Sequence, residues 1–158
     1  MSLVYIALGS NLGDRSANLA KAREMLGNDI RVLKCSSIYQ TAPWGYSEQD
    51  DFYNQVLECE TELSPMRLLR RLKRVERGMG RKKTFRNGPR VIDLDILFYH
   101  NLILETRRLV IPHPGIHERA FVLVPLAEIC PGLVHPVFGK NMAELLAMVD
   151  QTGVRRIC

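Results

Sequence analysis

The residues best suited to chemistry lie between positions 86 and 97, where the chain reads Arg-Asn-Gly-Pro-Arg-Val-Ile-Asp-Leu-Asp-Ile-Leu. Asp93 and Asp95 are two residues apart in an apolar run. An extended strand places both side chains on one face, with Cα atoms about 6.5–7 Å apart. Two half-buried carboxylates repel each other and lose solvation, and a divalent cation relieves both costs. Magnesium accepts carboxylate oxygens and keeps room for phosphates, which the neighbouring arginines also suit. The segment therefore predicts a metal and phosphate site.

The simpler alternative is a pair of aspartates that face solvent from an amphipathic strand. Two features favour the metal site. The rest of the strand is strongly apolar, and arginines precede the aspartates across the turn at Gly88-Pro89. The opposite face of this strand is predicted to hold the apolar residues Ile92, Leu94, Ile96 and Phe98.

Length and composition are those of an ordinary globular protein. With 158 residues, 46% of them hydrophobic and 25% charged, the chain is predicted to form a single domain over residues 1–158. No apolar run is long enough to span a membrane, and the first residues continue into a strand pattern instead of a signal peptide. The four cysteines are widely spaced and form no C-x-x-C pair, so reduced thiols are expected rather than disulfides or zinc ligands. These features predict a cytoplasmic protein.

Basic residues are concentrated in one segment. Residues 67–90 contain eleven of the 22 lysines and arginines and one of the 17 acidic residues, in a chain of net charge +5. Such a segment indicates an anionic partner: nucleotide phosphates, a nucleic acid or a membrane surface. Part of the segment falls on a predicted helix, where a run of charges is often only a solvated face.

Hydrophobic periodicity and turn residues predict the element order β-α-β-β-α-β. Strands are expected over residues 4–8, 30–39, 52–63 and 91–99, and helices over 15–26 and from Ser64-Pro65 to residue 78 or 80. Residues 9–13 are predicted to form a tight turn, and Asp14 to cap the first helix. Further helices are predicted over residues 118–129, which Pro125 should kink or end, and 143–149. This order is the split βαβ arrangement of the ferredoxin-like α+β class, with a mainly antiparallel sheet and packed helices.

Three stretches together resemble a known family. They are Ala7-Leu8-Gly9-Ser10-Asn11-Leu12-Gly13, the segment from residue 87 to 97, and Ile111-Pro112-His113-Pro114 continued by residues 118–126. They are similar to the 6-hydroxymethyl-7,8-dihydropterin pyrophosphokinases of folate biosynthesis, from the start of the chain to about Pro131. The resemblance implies magnesium-dependent transfer of pyrophosphate from ATP to the pterin hydroxyl, with release of AMP.

The resemblance also implies roles for individual residues. Two Mg2+ ions that bridge ATP and the hydroxyl would be held by Asp93 and Asp95, and these aspartates would form the catalytic set with Arg81 and Arg90. The co-substrate ATP would be bound by Arg86, Arg108, His113 and Arg119. Two phenylalanines would stack on the flat pterin ring while an amide binds its polar edge. The pterin-binding set is Thr41, Ala42, Pro43, Trp44, Phe52, Asn54 and Phe121.

Two features of the basic loop depart from the family pattern. Some members carry Trp where this chain has Asn87, and the basic loop here is one residue shorter than in some relatives. Both differences bear on loop contacts and ATP affinity rather than on the reaction. Without the resemblance, Phe52 and Phe121 could equally be core residues, and Asn54 could be a strand residue bonded to a neighbouring turn.

Two other functions stay open from the residues alone. A nucleic-acid-binding module fits a basic segment on a ferredoxin-like sheet, although the RNP aromatic pattern is missing and the segment holds only Phe85. An inert partner-binding domain leaves the paired aspartates unexplained. The leading prediction is an enzyme whose partners are the small molecules ATP and pterin. No nucleic acid or membrane partner is expected, and a monomer is favoured.

Overall fold

The structure is a computed structural model that describes residues 1–43, 48–82, 85 and 88–158. Its helices are α1 (Arg15–Met25), α2 (Pro65–Gly78), α3 (Ala120–Ile129) and α4 (Met142–Leu146), with a 3-10 helix at Ile116–Glu118. Its strands are β1 (Ser2–Ser10), β2 (Ile30–Cys35), β3 (Tyr39–Thr41), β4 (Phe52–Thr61), β5 (Asp93–Tyr99), β6 (Leu104–Glu105), β7 (Val110–Ile111) and β8 (Arg155–Arg156). None of the described helices has the length and apolar composition needed to cross a membrane.

One antiparallel sheet of six strands organises the chain. β1 lies between β4 and β5, β4 is followed by β3 and β8, and β2 also pairs with β4. The predicted strand over residues 30–39 is instead two strands, with Ser36 between them. The Ser36 N–H donates to the Val56 carbonyl, and its hydroxyl accepts from the Val56 N–H, so a side chain replaces one backbone acceptor of the ladder. The connections through α1 and α2 confirm the ferredoxin-like α+β class.

Helices cover both faces of the sheet. α1 and α2 pack on one face, where their buried residues meet alternate side chains of β1; this core includes Leu19, Leu68, Leu72, Val4, Ile6 and Leu8. α3 and α4 cover the other face, around Tyr5, Phe98, Leu123, Leu126, Met142 and Leu145. Alternation along β1 therefore divides its side chains between two cores. The second face is the one that also carries the polar residues of the site.

The two crossover helices begin at their predicted caps. The Asp14 carboxylate accepts a hydrogen bond from the Ala17 N–H at 3.1 Å. The Ser64 hydroxyl accepts one from the Arg67 N–H at 3.3 Å, and Pro65 occupies the first turn, where its missing N–H costs nothing. Local sequence therefore fixes where both helices start.

α3 continues through Pro125, where the sequence predicts a kink or an end. Val122, Leu123 and Leu126 are buried on either side of the proline. Their burial outweighs the single backbone hydrogen bond that a proline removes from a helix.

A bulge in β5 decides which side chains face which core. Tyr5 pairs with Phe98 and Ile6 pairs with Ile96, so Leu97 is an extra residue without a partner on β1. Both Leu97 and Phe98 pack in the core below α3 and α4, whereas Ile96 packs in the core below α1 and α2. The prediction that Phe98 shares a face with Ile96 is therefore wrong, because strict alternation holds only up to the bulge.

Candidate active site

A cavity of about 390 Å³ opens on the face of the sheet that packs against α3. Its floor is the end of β1, where Ala7 and Gly9 leave space because their side chains are minimal. In the sheet register, Gly9 lies between Asn54 of β4 and Asp93 of β5. A Cβ atom on Gly9 would lie 3.0 Å from the Asn54 Oδ1. The prediction that Gly9 begins a turn is wrong, because β1 continues through Ser10.

Most of the residues singled out in the sequence meet in this cavity. The lining residues include Arg81, Arg90, Asp93, Asp95, His113, Arg119, Thr41, Ala42, Phe52, Asn54 and Phe121. Arg108 and Pro43 are described but do not line it; Arg108 is exposed in the turn between β6 and β7. Trp44 and Arg86 lie outside the described residues. The structure thus places residues from four strands, three loops, α2 and α3 around one space.

Asp93 and Asp95 project from β5 into the cavity, and the buried Leu94 between them packs on the opposite face. Burial, together with the neighbouring carboxylates of Asp93 and Glu76, raises the pKa of Asp95 from its ordinary value to about 7. The Asp95 carboxylate makes no hydrogen bond or ion pair with any residue that the structure describes. The same-face geometry predicted from the spacing is therefore present, in surroundings that disfavour two negative charges.

Two arginines hold the Asp93 carboxylate. The Arg81 Nη1 lies 3.0 Å from Asp93 Oδ1, and the Arg90 Nη1 lies 3.3 Å from Asp93 Oδ2. All three side chains are about a quarter exposed, so these charges are screened less than surface pairs would be. Each arginine has further N–H groups that can donate to an anion in the cavity.

Glu76 of α2 is a buried carboxylate that supports this arrangement. Its Oε2 accepts hydrogen bonds from Arg81 Nη1 at 2.5 Å and from the backbone N–H of Leu94 at 2.8 Å. Its Oε1 lies 3.4 Å from the Lys73 ammonium, and Lys73 also lines the cavity. One buried charge therefore positions two cations at the cavity and anchors the aspartate strand.

His113 faces the same cavity from the loop after β7. Its Nδ1 accepts a hydrogen bond from the Gly115 N–H at 3.1 Å, which leaves the ring proton on Nε2. Burial, together with the nearby Arg119 guanidinium, lowers the pKa of His113 to about 4 despite the opposing effect of Asp93. At neutral pH, His113 is therefore an uncharged, rigidly held hydrogen-bond donor.

The other end of the cavity is aromatic and amide-lined. Asn54 is buried, and its Nδ2 donates to the Thr41 hydroxyl at 2.6 Å. This bond turns the Asn54 Oδ1 towards Gly9, where it can accept from a ligand. Phe52 and Phe121 also line the cavity, from β4 and α3. A flat heterocycle with a polar edge suits such a space.

Asn11 connects the two loops that approach the cavity, and the sequence interpretation missed it. Its N–H donates to the Arg90 carbonyl at 3.1 Å, and its Oδ1 accepts from the Arg90 N–H at 2.8 Å. Its Nδ2 donates to Gln49 Oε1 at 2.7 Å and to the Asp50 carbonyl at 3.0 Å. One buried amide therefore fixes Arg90 and the start of β4 relative to β1.

Two carboxylates are the candidate metal ligands of the site. The described part of the chain contains no cluster of three or more His, Cys, Asp or Glu side chains arranged around an ion. The two aspartates nevertheless fit magnesium, which is bound in many sites by one or two carboxylates with water and substrate phosphates as its other ligands. The raised pKa of Asp95 reflects burial and the repulsion of Asp93 and Glu76, and a bound cation would relieve both costs. The sequence interpretation also missed Lys73, because the pattern of charges along α2 does not distinguish a residue that lines the cavity from one that faces solvent.

Comparisons with known proteins agree with this geometry. The sequence model of 7,8-dihydro-6-hydroxymethylpterin-pyrophosphokinase (HPPK) matches residues 5–131. The chain is 42% identical over 144 residues to the 2-amino-4-hydroxy-6-hydroxymethyldihydropteridine pyrophosphokinase of Aquifex aeolicus, covering 91% of this chain and 90% of that protein. It is 46% identical over 159 residues to the protein of the same name from Methylorubrum extorquens, covering 99% of each.

A solved structure shares the fold. Plasmodium falciparum HPPK-DHPS, crystallised with SDX-DHP, superposes with a TM-score of 0.75 and 16% identity, over 99% of this chain and 47% of that one. At that identity the superposition shows the fold alone, and this chain spans less than half of the solved protein. The assignment of this chain to a family rests on the family model and on the two relatives. The chain belongs to the 7,8-dihydro-6-hydroxymethylpterin-pyrophosphokinase family.

Proposed function

We propose that residues 1–158 form one enzyme domain that transfers pyrophosphate from ATP to the hydroxyl of 6-hydroxymethyl-7,8-dihydropterin in a magnesium-dependent reaction and releases AMP. The observation that carries this proposal is the composition of one cavity. Paired aspartates and two arginines occupy one end, and two phenylalanines with a buried amide occupy the other. The names of relatives at 42% and 46% identity support the same substrate.

At the phosphate end, fixed cations bind and orient the triphosphate. Arg81 and Lys73 are held by Glu76, so their positions are set before substrate arrives. Arg90 is held through its backbone by Asn11. Donors fixed in advance stabilise charge that develops on the transferred group without having to reorganise. His113 adds an uncharged Nε2–H donor, and Arg119 a further positive charge.

Magnesium would be held by Asp93 and Asp95, where it would neutralise phosphate charge and polarise the phosphoryl and hydroxyl oxygens. Both Asp93 oxygens contact arginines, and each carboxylate oxygen keeps a further lone pair that could bind a metal. The remaining N–H groups of Arg81 and Arg90 can contact phosphate without leaving Asp93. The same arginines would therefore neutralise Asp93 and bind substrate together.

At the pterin end, the sheet sets the distance between recognition and reaction. Asn54 and Asp93 lie on either side of Gly9, and two strand spacings separate them by about 10 Å. A ring stacked between Phe52 and Phe121, with its polar edge at Asn54, would direct its hydroxymethyl group towards the aspartates. The short side chains of β1 leave that path open.

The test is AMP release from ATP with and without the pterin, measured in single turnover. We expect release only with both the pterin and magnesium, and a loss of about 10²-fold or more in Asp93→Asn and Asp95→Asn, because charged metal ligands are removed. Asp50→Asn is the matched control, since Asp50 is exposed and its carboxylate makes no hydrogen bond or ion pair with the described residues. Near-normal rates in either test variant would refute the metal assignment. RNA binding without AMP release would instead favour a nucleic-acid-binding module.

A further inference from the structure

A second cavity, of about 220 Å³, lies on the side of α2 away from the proposed active site. We call it the arginine groove; its lining residues are Asp29, Leu63, Arg67, Arg70, Arg71 and Arg74. The four arginines stand at positions i, i+3, i+4 and i+7 of one helix, which is a single stripe about 10 Å long. None of the six residues lines the larger cavity, which α2 reaches through Lys73.

Arg71 is the fixed element of the groove. Its Nη2 donates to the carbonyl of Leu26 at 2.9 Å and to that of Met25 at 3.5 Å, at the end of α1. Its Nη1 lies 3.4 Å from the Asp29 carboxylate. Asp29 is therefore already neutralised by Arg71. The Arg71 guanidinium forms a rigid, partly buried wall of the groove.

The other three arginines supply uncompensated positive charge. Arg67, Arg70 and Arg74 are exposed, and within the described ranges their side chains make no hydrogen bond or ion pair. Like charges three or four positions apart on a helix repel and destabilise it. With Arg71 matched by Asp29, the groove carries a charge of +3. A bound anion would relieve this repulsion at several positions together.

We propose that the arginine groove binds a small anion made of linked phosphate groups, independently of the reaction proposed above. Guanidinium groups form bidentate hydrogen bonds with phosphate oxygens, and a stripe of them suits more than one phosphate. The groove is concave and smaller than a typical site for a drug-sized ligand, which favours a compact anion. None of its lining residues is aromatic, so it offers no surface on which nucleic-acid bases could stack.

Calorimetry with sodium tripolyphosphate in EDTA tests the proposal on the full chain. The groove variant is Arg67→Gln/Arg74→Gln, and the active-site variant is Arg81→Gln/Arg90→Gln. The matched control, Lys21→Gln/Arg107→Gln, removes the same charge from exposed positions outside both cavities. Glutamine has nearly the helix propensity of arginine, so α2 should remain folded, and circular dichroism verifies this.

We expect the active-site variant and the control to retain binding at the groove. The affinity of the groove variant for tripolyphosphate should be lower by about tenfold or more, since two charge-assisted contacts are removed. Tripolyphosphate should also raise the Tm of the active-site variant but not that of a variant combining both pairs of substitutions. Unchanged binding in the groove variant would overturn the proposal. So would an equal loss in the control, which would indicate a diffuse charge effect.

Two further titrations test whether the phosphate belongs to a nucleic acid or to a lipid surface instead. A ten-residue oligouridylate and phosphatidylserine vesicles are each titrated against the wild type and the groove variant. Weak binding of both, with little difference between the two proteins, supports a small free anion. Groove-dependent binding of the oligonucleotide or the vesicles that is tighter than that of tripolyphosphate would overturn this choice of ligand.

Discussion

Asp95 allows a test of the site that needs no substrate. Burial, together with the Asp93 and Glu76 carboxylates, raises its pKa from 3.8 to about 7. The folded protein therefore holds a proton on Asp95 that the unfolded chain releases at lower pH. The free energy of unfolding therefore falls as pH rises from about 4 to about 7. Above that range the protein carries the full penalty of ionising the buried Asp95 carboxyl.

The variant Asp95→Asn removes the charge and keeps the shape of the side chain. At 1.36 kcal/mol for each pH unit between the two pKa values, removal of the whole penalty stabilises the metal-free protein by at most about 4 kcal/mol at pH 8. Neighbouring charges share the titration, so we expect a gain of about 2–4 kcal/mol. Near pH 4 the gain should be small, because the carboxyl is largely protonated in the folded protein and partly so in the unfolded chain.

Urea unfolding in EDTA between pH 4 and pH 8 measures this difference. Asp50→Asn is the control, since it changes the net charge equally at an exposed position. Magnesium should stabilise the wild type more than Asp95→Asn at pH 8, because a cation that binds only the folded state favours it. An Asp95→Asn protein no more stable than the wild type at pH 8 would refute the reasoning. A gain that does not change with pH would do the same.

Three further changes follow from individual contacts. Gly9→Ala should weaken pterin binding by about 1 kcal/mol or more in calorimetry and leave the urea midpoint nearly unchanged, because its Cβ would displace Asn54 rather than core atoms. Glu76→Gln should lower the free energy of unfolding by about 1–3 kcal/mol in urea titrations, since Arg81 loses its buried partner while the amide can still accept from Leu94. Asn11→Ala should cost about 1–3 kcal/mol of stability and speed amide exchange at Arg90, whose N–H loses its acceptor; unchanged exchange there would count against its role.

The sequence was sufficient where local chemistry decides the structure. The spacing of Asp93 and Asp95 fixed their common face, and Ser64-Pro65 fixed the start of α2. These features depend on strand alternation and on capping within a few residues, so periodicity and residue type determine them.

The sequence was insufficient where distant partners decide. The bulge at Leu97 depends on pairing with β1, about 90 residues earlier in the chain, so the face of Phe98 was mispredicted. Asn11 bonds to residues 38 and 79 positions away, and nothing local marks it. Lys73 differs from the solvated charges of α2 only because Glu76 and the cavity lie beside it.

The bulge in β5 also bears on how the protein unfolds. Leu94 and Ile96 pack in the core under α1 and α2, and Leu97 and Phe98 pack in the core under α3 and α4, so one strand joins two hydrophobic clusters. Loss of either cluster removes half of the support of β5 and weakens its pairing with β1. The two layers are therefore expected to unfold as one cooperative unit, and the amides of β5 to exchange only through global opening.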